Sequence, residues 1–135
     1  MRELKFRVWD KRYKRYVKPY AVCLDGRAIA ITEPSNDLET LDSERAIIEQ
    51  YTGLKDSNGK KIYEGDIVKY SDGDAYEVCF FNGCFGIKNR NLSALYSSYT
   101  FNDHDIYSST GKLRLEVIGN IHGNKDLSEE EDVRN

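Results

Sequence analysis

Nowhere do the 135 residues contain an apolar run near the roughly 20 that a membrane-spanning helix needs, so an integral helical membrane protein is excluded. Charges in Met1-Arg2-Glu3-Leu4-Lys5 stand where a secretory signal would place its apolar stretch, and a cytoplasmic location is expected. Cysteine is scarce and odd in number. Cys23, Cys79 and Cys84 form no Cys-x-x-Cys pair, which speaks against a disulfide framework or a zinc site, and all three are read as reduced core residues. Also missing are a phosphate-binding glycine loop, a Gly-x-Ser-x-Gly elbow and a His-Glu-x-x-His helix, so no catalytic residue or cofactor is nominated and an enzyme is not expected. No internal repeat of useful length is present, which removes solenoids and propellers.

What the chain does have is the makeup of a water-soluble globular protein: 39% hydrophobic, 32% charged and a formal net charge of −3. That near-neutral total hides an asymmetry. Residues 1–20 hold eight Lys or Arg against Glu3 and Asp10, a local +6, whereas residues 125–135 hold five acids against Lys125 and Arg134, a local −3. The densest stretch, Lys11-Arg12-Tyr13-Lys14-Arg15-Tyr16-Val17-Lys18, interleaves cations with tyrosines, a mixture that can follow a phosphate backbone while rings stack on bases. Together with Arg7 and Trp9, the residues Lys11, Arg12, Tyr13, Lys14, Arg15, Tyr16 and Lys18 are the nominated nucleic-acid contacts. The bland alternative is a solvated hairpin with its rings turned inward, and charge runs on solvated faces are common.

The hydrophobic pattern has period two over most of the chain, which points to strands. Residues 4–9 alternate Leu4, Phe6 and Val8, bend at 10–12 and return through 13–20 as a first hairpin. Asp25-Gly26 suits a two-residue type I′ turn and would place Val22 opposite Ile29 and Tyr20 opposite Ile31. Residues 33–45 read as a polar connector, and 46–51 fit either a helical turn or a strand. Asp56-Ser57-Asn58-Gly59 marks a tight bend, and the strand at 62–70 is interrupted by Gly65-Asp66. Asn82-Gly83 is the firmest turn signal; it pairs Phe80 with Phe85, Val78 with Ile87 and Glu77 with Lys88. Residues 91–99 have the spacing of a short helix, with Asn91 placed to cap it, and 102–111 read as a loop. A closing strand at 113–121 puts Leu113, Leu115, Val117, Gly119 and Ile121 on one side, and the tail after 123 is expected to fray.

Two clusters invite chemistry. The carboxylates of Tyr63-Glu64-Gly65-Asp66-Ile67-Val68 are better explained as a bend than as a site, and Asp103-His104-Asp105 has too few ligands within reach for a metal.

Several of these segments carry a resemblance: Phe6-Arg7-Val8-Trp9-Asp10, the central run from Gln50-Tyr51-Thr52-Gly53-Leu54-Lys55 through Asp56-Ser57-Asn58-Gly59, Ile62-Tyr63-Glu64-Gly65-Asp66-Ile67-Val68, Tyr76-Glu77-Val78 and Glu116-Val117-Ile118-Gly119-Asn120-Ile121. In this order they resemble the YopX family of phage and prophage proteins. The chain departs from that pattern at Gly123-Asn124-Lys125-Asp126 and across the insert at 89–110. The resemblance implies a mainly β (all-β) fold with an N-terminal β-hairpin lobe and a C-terminal SH3-like small barrel, and it supplies no catalytic residue. The expected organisation is an N-terminal lobe and connector at 1–50, the barrel lobe at 51–123 and an acidic flexible tail at 124–135. The expected role is a non-catalytic protein-interaction module for a host or phage protein, compatible with a homo-oligomer. The alternative is a nucleic-acid-binding accessory factor in phage replication or recombination.

Overall fold

A computed structural model describes residues 3–32, 35–81, 83–90 and 98–123. The described chain is mainly β, as its period-two pattern predicts, with eleven strands in two antiparallel sheets. It divides between Tyr51 and Thr52 into two compact units.

In the first unit β1 (Phe6–Asp10), β2 (Arg15–Val22), β3 (Ala28–Thr32), β4 (Asp37–Leu41) and the start of β5 (Ala46–Lys55) form a sheet in the order β4-β3-β2-β1-β5. β6 (Lys61–Tyr63) follows the later part of β5 as its sixth strand. Val8 pairs with Val17 and Ile48 on either side, and this face gathers Val8, Ala28, Ala30, Leu41 and Ala46 into a core flanked by Val17, Val22 and Ile48. Small alanines on β3 let neighbouring Val and Leu side chains interdigitate.

Two expectations fail here for local reasons. The connector at 33–45 contains β4, whose five residues pair in register with β3 from Ala28↔Leu41 to Thr32↔Asp37. Only Leu41 of this strand is fully buried, so its conformation comes from the ladder rather than from its own hydrophobicity. The turn at Asp25-Gly26 is also different. Gly26 alone takes positive φ, +92°; its N–H donates to Cys23 O at 3.0 Å, and Cys23 N–H donates to Arg27 O at 2.8 Å. This is a three-residue loop with a glycine bulge, not the type I′ turn, and it moves the register by one residue, giving Val22↔Ala28 instead of Val22↔Ile29. A second bulge absorbs Tyr20 between Pro19↔Ala30 and Ala21↔Ile29. Proline at 19 has no N–H for the ladder, which favours an irregularity beside it.

In the second unit β7 (Asp66–Tyr70), β8 (Ala75–Phe81), β9 (Cys84–Asn89), β10 (Ser98–Thr100) and β11 (Leu115–Asn120) form a sheet in the order β10-β9-β8-β7-β11. One face, with Ile62 and with Ile106 from the 3₁₀ turn His104–Ile106, buries Val68, Tyr76, Val78, Ile87, Leu113, Leu115 and Val117. The pairs Phe80↔Phe85, Val78↔Ile87 and Glu77↔Lys88 form as the Asn82-Gly83 signal predicts, and the Phe80 and Phe85 rings meet edge to face at 5.2 Å. Such a contact adds about 0.5–1.5 kcal/mol beyond area burial.

Among the described residues the sheet does not close into a barrel. At the outer side of β11, where a closing strand would lie, Ser57 N–H donates to Leu115 O (2.8 Å) and Val117 N–H donates to Asp56 Oδ2 (2.9 Å). The other Asp56 oxygen takes the N–H groups of Asn58 and Lys60, so one buried carboxylate both shapes its bend and occupies that edge. The Gly65-Asp66 interruption is structural as well, with Asp66 Oδ2 accepting Tyr63 N–H at 2.8 Å. On β11 the alternation holds through Val117; a bulge at Ile118 then reverses it, so Asn120 is buried and Ile121 is exposed. Ser98–Thr100 is a strand, and the rest of the helix expected at 91–99 falls on residues outside those described, as does the tail after 123. The three cysteines are free but half-buried rather than core, and burial raises the Cys79 thiol above its ordinary pKa.

Candidate functional site

The nominated residues of the first hairpin separate into two groups, because β1 and β2 turn successive side chains to opposite faces. Arg7, Trp9 and Tyr16 face one way, beside Glu49 of β5, which sits opposite Arg7 in the ladder. Arg7 Nε donates to Glu49 Oε1 at 2.7 Å, the Tyr16 hydroxyl donates to the same oxygen at 2.8 Å, and the Arg7 guanidinium lies 4.8 Å from the Tyr16 ring centre. Trp9 is buried and meets Tyr16 edge to face at 5.0 Å. These three residues pack around a buried carboxylate, Trp9 buried and Arg7 and Tyr16 half-buried, apart from the exposed cations of the turn.

Lys11, Arg12, Tyr13, Lys14 and Arg15 do come together, exposed at the tip where β1 turns into β2. Lys14 takes a left-handed φ of +53° to close that turn. Lys18, further along β2, is exposed opposite Ile31 of β3 and away from the tip. The tip is held from beneath by Asp10, which is fully buried. Its Oδ1 accepts Arg12 N–H (2.9 Å) and Arg45 Nε (2.8 Å), while its Oδ2 accepts Arg45 Nη2 (2.8 Å). Arg45 reaches Glu39 Oε1 with Nη1 at 2.7 Å, and its backbone carbonyl accepts Lys11 N–H at 2.9 Å. The side-chain hydrogen bonds from Arg45 hold the Asp10 carboxyl below the usual carboxylate range, and the same contacts raise the Arg45 pKa.

Above this pair, Tyr13 is 59% exposed and its ring is met by three guanidiniums, of Arg45, Arg15 and Arg12, at 5.3, 5.4 and 5.8 Å from its centre. Sequence reasoning missed Arg45, Glu39 and Glu49. Asp10 and Arg45 lie 35 residues apart, and nothing in spacing links them.

A second surface lies along an edge of the same sheet. β4 is its terminal strand, and the cross-strand row Lys18–Ile31–Leu38 ends on Leu38, which is 57% exposed. The bulged Tyr20 nearby is 66% exposed. Residues 37–44 carry Asp37, Glu39, Asp42 and Glu44 and no basic residue.

Among the described residues no group of three or more His, Cys, Asp or Glu side chains could hold a metal ion, and no helix is long and apolar enough to cross a membrane. The Asp103 carboxylate accepts Thr100 N–H at 2.8 Å, and Asp105 O accepts the Tyr70 hydroxyl at 2.7 Å.

No curated protein matches the chain. Among solved structures it is similar to the crystal structure of protein EF1440 from Enterococcus faecalis, with 26% identity, a TM-score of 0.55, and coverage of 95% of this chain and 99% of that one. The family model for YopX protein matches residues 5–129, nearly the whole chain and every segment on which the resemblance rests. With both sheets assembled from those segments, the chain belongs to the YopX family.

Proposed function

We propose that the chain is a non-catalytic binding module that takes an extended segment of a partner protein along β4. Among the described residues no strand pairs with the outer side of β4, and that edge is the observation that carries this reading. β4 ends the six-stranded sheet, and a strand laid beside it would continue the ladder through main-chain hydrogen bonds. Leu38 and Thr40 face one side of that edge, and Asp37 and Glu39 face the other. The fitting partner alternates apolar residues, set against Leu38 and Tyr20, with Lys or Arg, set against the acids of residues 37–44 other than Glu39, which Arg45 already holds. In this reading the protein is of phage or prophage origin and works in the host cytoplasm, where its three free cysteines stay reduced.

Selection of random displayed peptides on the purified protein tests this directly. Peptides alternating basic and apolar residues should be enriched, and Leu38→Asp, which changes an exposed position, should lower their affinity at least 10-fold. Enrichment of unpatterned peptides, or binding indifferent to Leu38, contradicts the proposal. Concentration-dependent sedimentation lost in the same variant would instead identify a second copy as the occupant.

A further inference from the structure

We infer that the tip of the first hairpin is a second, separate binding site, for single-stranded nucleic acid. Four cations, Lys11, Arg12, Lys14 and Arg15, occupy five consecutive positions, and all are exposed. Among the described residues none of the four pairs with an acidic side chain. The one acid of the tip, Asp10, is fully buried and filled by Arg45 and by Arg12 N–H, so it neither projects into the patch nor neutralises the four exposed side chains. Glu39 is likewise engaged by Arg45. With Arg45 set against both Asp10 and Glu39, the tip and its support sum to +3, on a protein whose net charge is −3.

Charge alone would serve any polyanion; Tyr13 is what selects nucleic acid. Its ring is exposed and fixed in place by guanidiniums, two of them, Arg12 and Arg15, belonging to the cation set itself. An unstacked base can lie against such an aromatic–guanidinium assembly while the neighbouring cations meet the flanking phosphates. A duplex offers phosphates but keeps its bases stacked, so single strands are favoured. The base of the tip is tied by the Asp10–Arg45 pair and the Lys11 N–H bond to Arg45 O, which lowers the ordering cost on binding. The cations and ring of this site belong to the β1–β2 turn and not to β4, whose one link to it is the Glu39–Arg45 ion pair, so its test is separate from that of β4.

Fluorescence anisotropy with oligo-dT and with a duplex of equal length, each at about 50 and 200 mM salt, tests the assignment. With four phosphate contacts, single-strand affinity should fall about 50-fold across that range. In the Arg12→Gln/Lys14→Gln variant, whose changes lie on exposed side chains, the fall should shrink to about 7-fold. Tyr13→Ala should weaken single-strand binding by roughly 5-fold or more at both salts, and Tyr13→Phe should restore it. Inorganic polyphosphate is the comparison ligand. Equal binding of polyphosphate with no effect of Tyr13→Ala overturns the nucleic-acid assignment, and so does absence of oligo-dT binding at the lower salt or a duplex preferred over the single strand.

Discussion

A carboxylate with no exposure at all, Asp10, organises the most charged part of this protein, and the energetic consequence is asymmetric. A buried ion pair gains little over a well-packed apolar one, but removing one partner strands the other. Asp10→Asn should therefore cost about 3 kcal/mol at neutral pH, since Arg45 would keep only Glu39. The pH dependence has a definite sign. The folded-state pKa of Asp10 is depressed, chiefly by the side-chain hydrogen bonds from Arg45, so the contribution is fully present above the unfolded carboxylate value of about 3.9 and is lost as pH falls towards the folded value. Urea unfolding between about pH 2.5 and 7 should show a fall in stability below about pH 4 that is shallower in Asp10→Asn. Equal slopes in the two proteins would mean that the pair does not govern the tip. At this scale the sequence was readable where chemistry is local, as with Asp56 and Asp66, whose carboxylates bond backbone N–H groups a few residues away. It was not readable for Arg7 and Trp9, since a cation or an indole beside a basic run carries no mark that Glu49, more than 35 residues on, will draw it inward.

Strands and turns divide along similar lines. The β8–β9 hairpin could be laid out residue by residue, because matched apolar rows on both strands leave only one register that keeps Val78 and Ile87 buried. The β2–β3 hairpin could not, because Asp25-Gly26 suits two different loops and the row Val22, Ala28, Ala30 is too small in volume to distinguish them. β4 was invisible to pattern altogether, being a strand by virtue of its neighbour. One position at this level has a sharp steric meaning. A Cβ on Gly86 would lie 2.5 Å from Tyr99 O, a backbone atom of β10, and 2.5 Å from the Phe81 ring. The ring can turn away, but the carbonyl is fixed by the β9–β10 ladder. Gly86→Ala should destabilise the second unit by about 2 kcal/mol, with faster amide exchange in β10. An unchanged urea midpoint would show that β10 is not held against β9 as described.

Viewed whole, the molecule spends its sheet edges unequally. The outer side of β11 is closed by the Asp56 bend, and β6 and β10 are three residues each, whereas β4 offers five residues, an exposed leucine and an acidic border. Native proteins blunt open edges with charge to prevent indiscriminate pairing, and the acids of residues 37–44 fit that purpose while leaving the edge available to a basic strand. The all-β class and family membership were legible from the sequence; the open form of the second sheet was not, since whether a ladder closes depends on what meets its last strand. The most direct measurement is amide hydrogen exchange with and without the peptides selected on the protein. Binding along β4 predicts added protection confined to residues 37–41 and the flanking part of β3; protection appearing instead on the second sheet, or nowhere, would contradict the account.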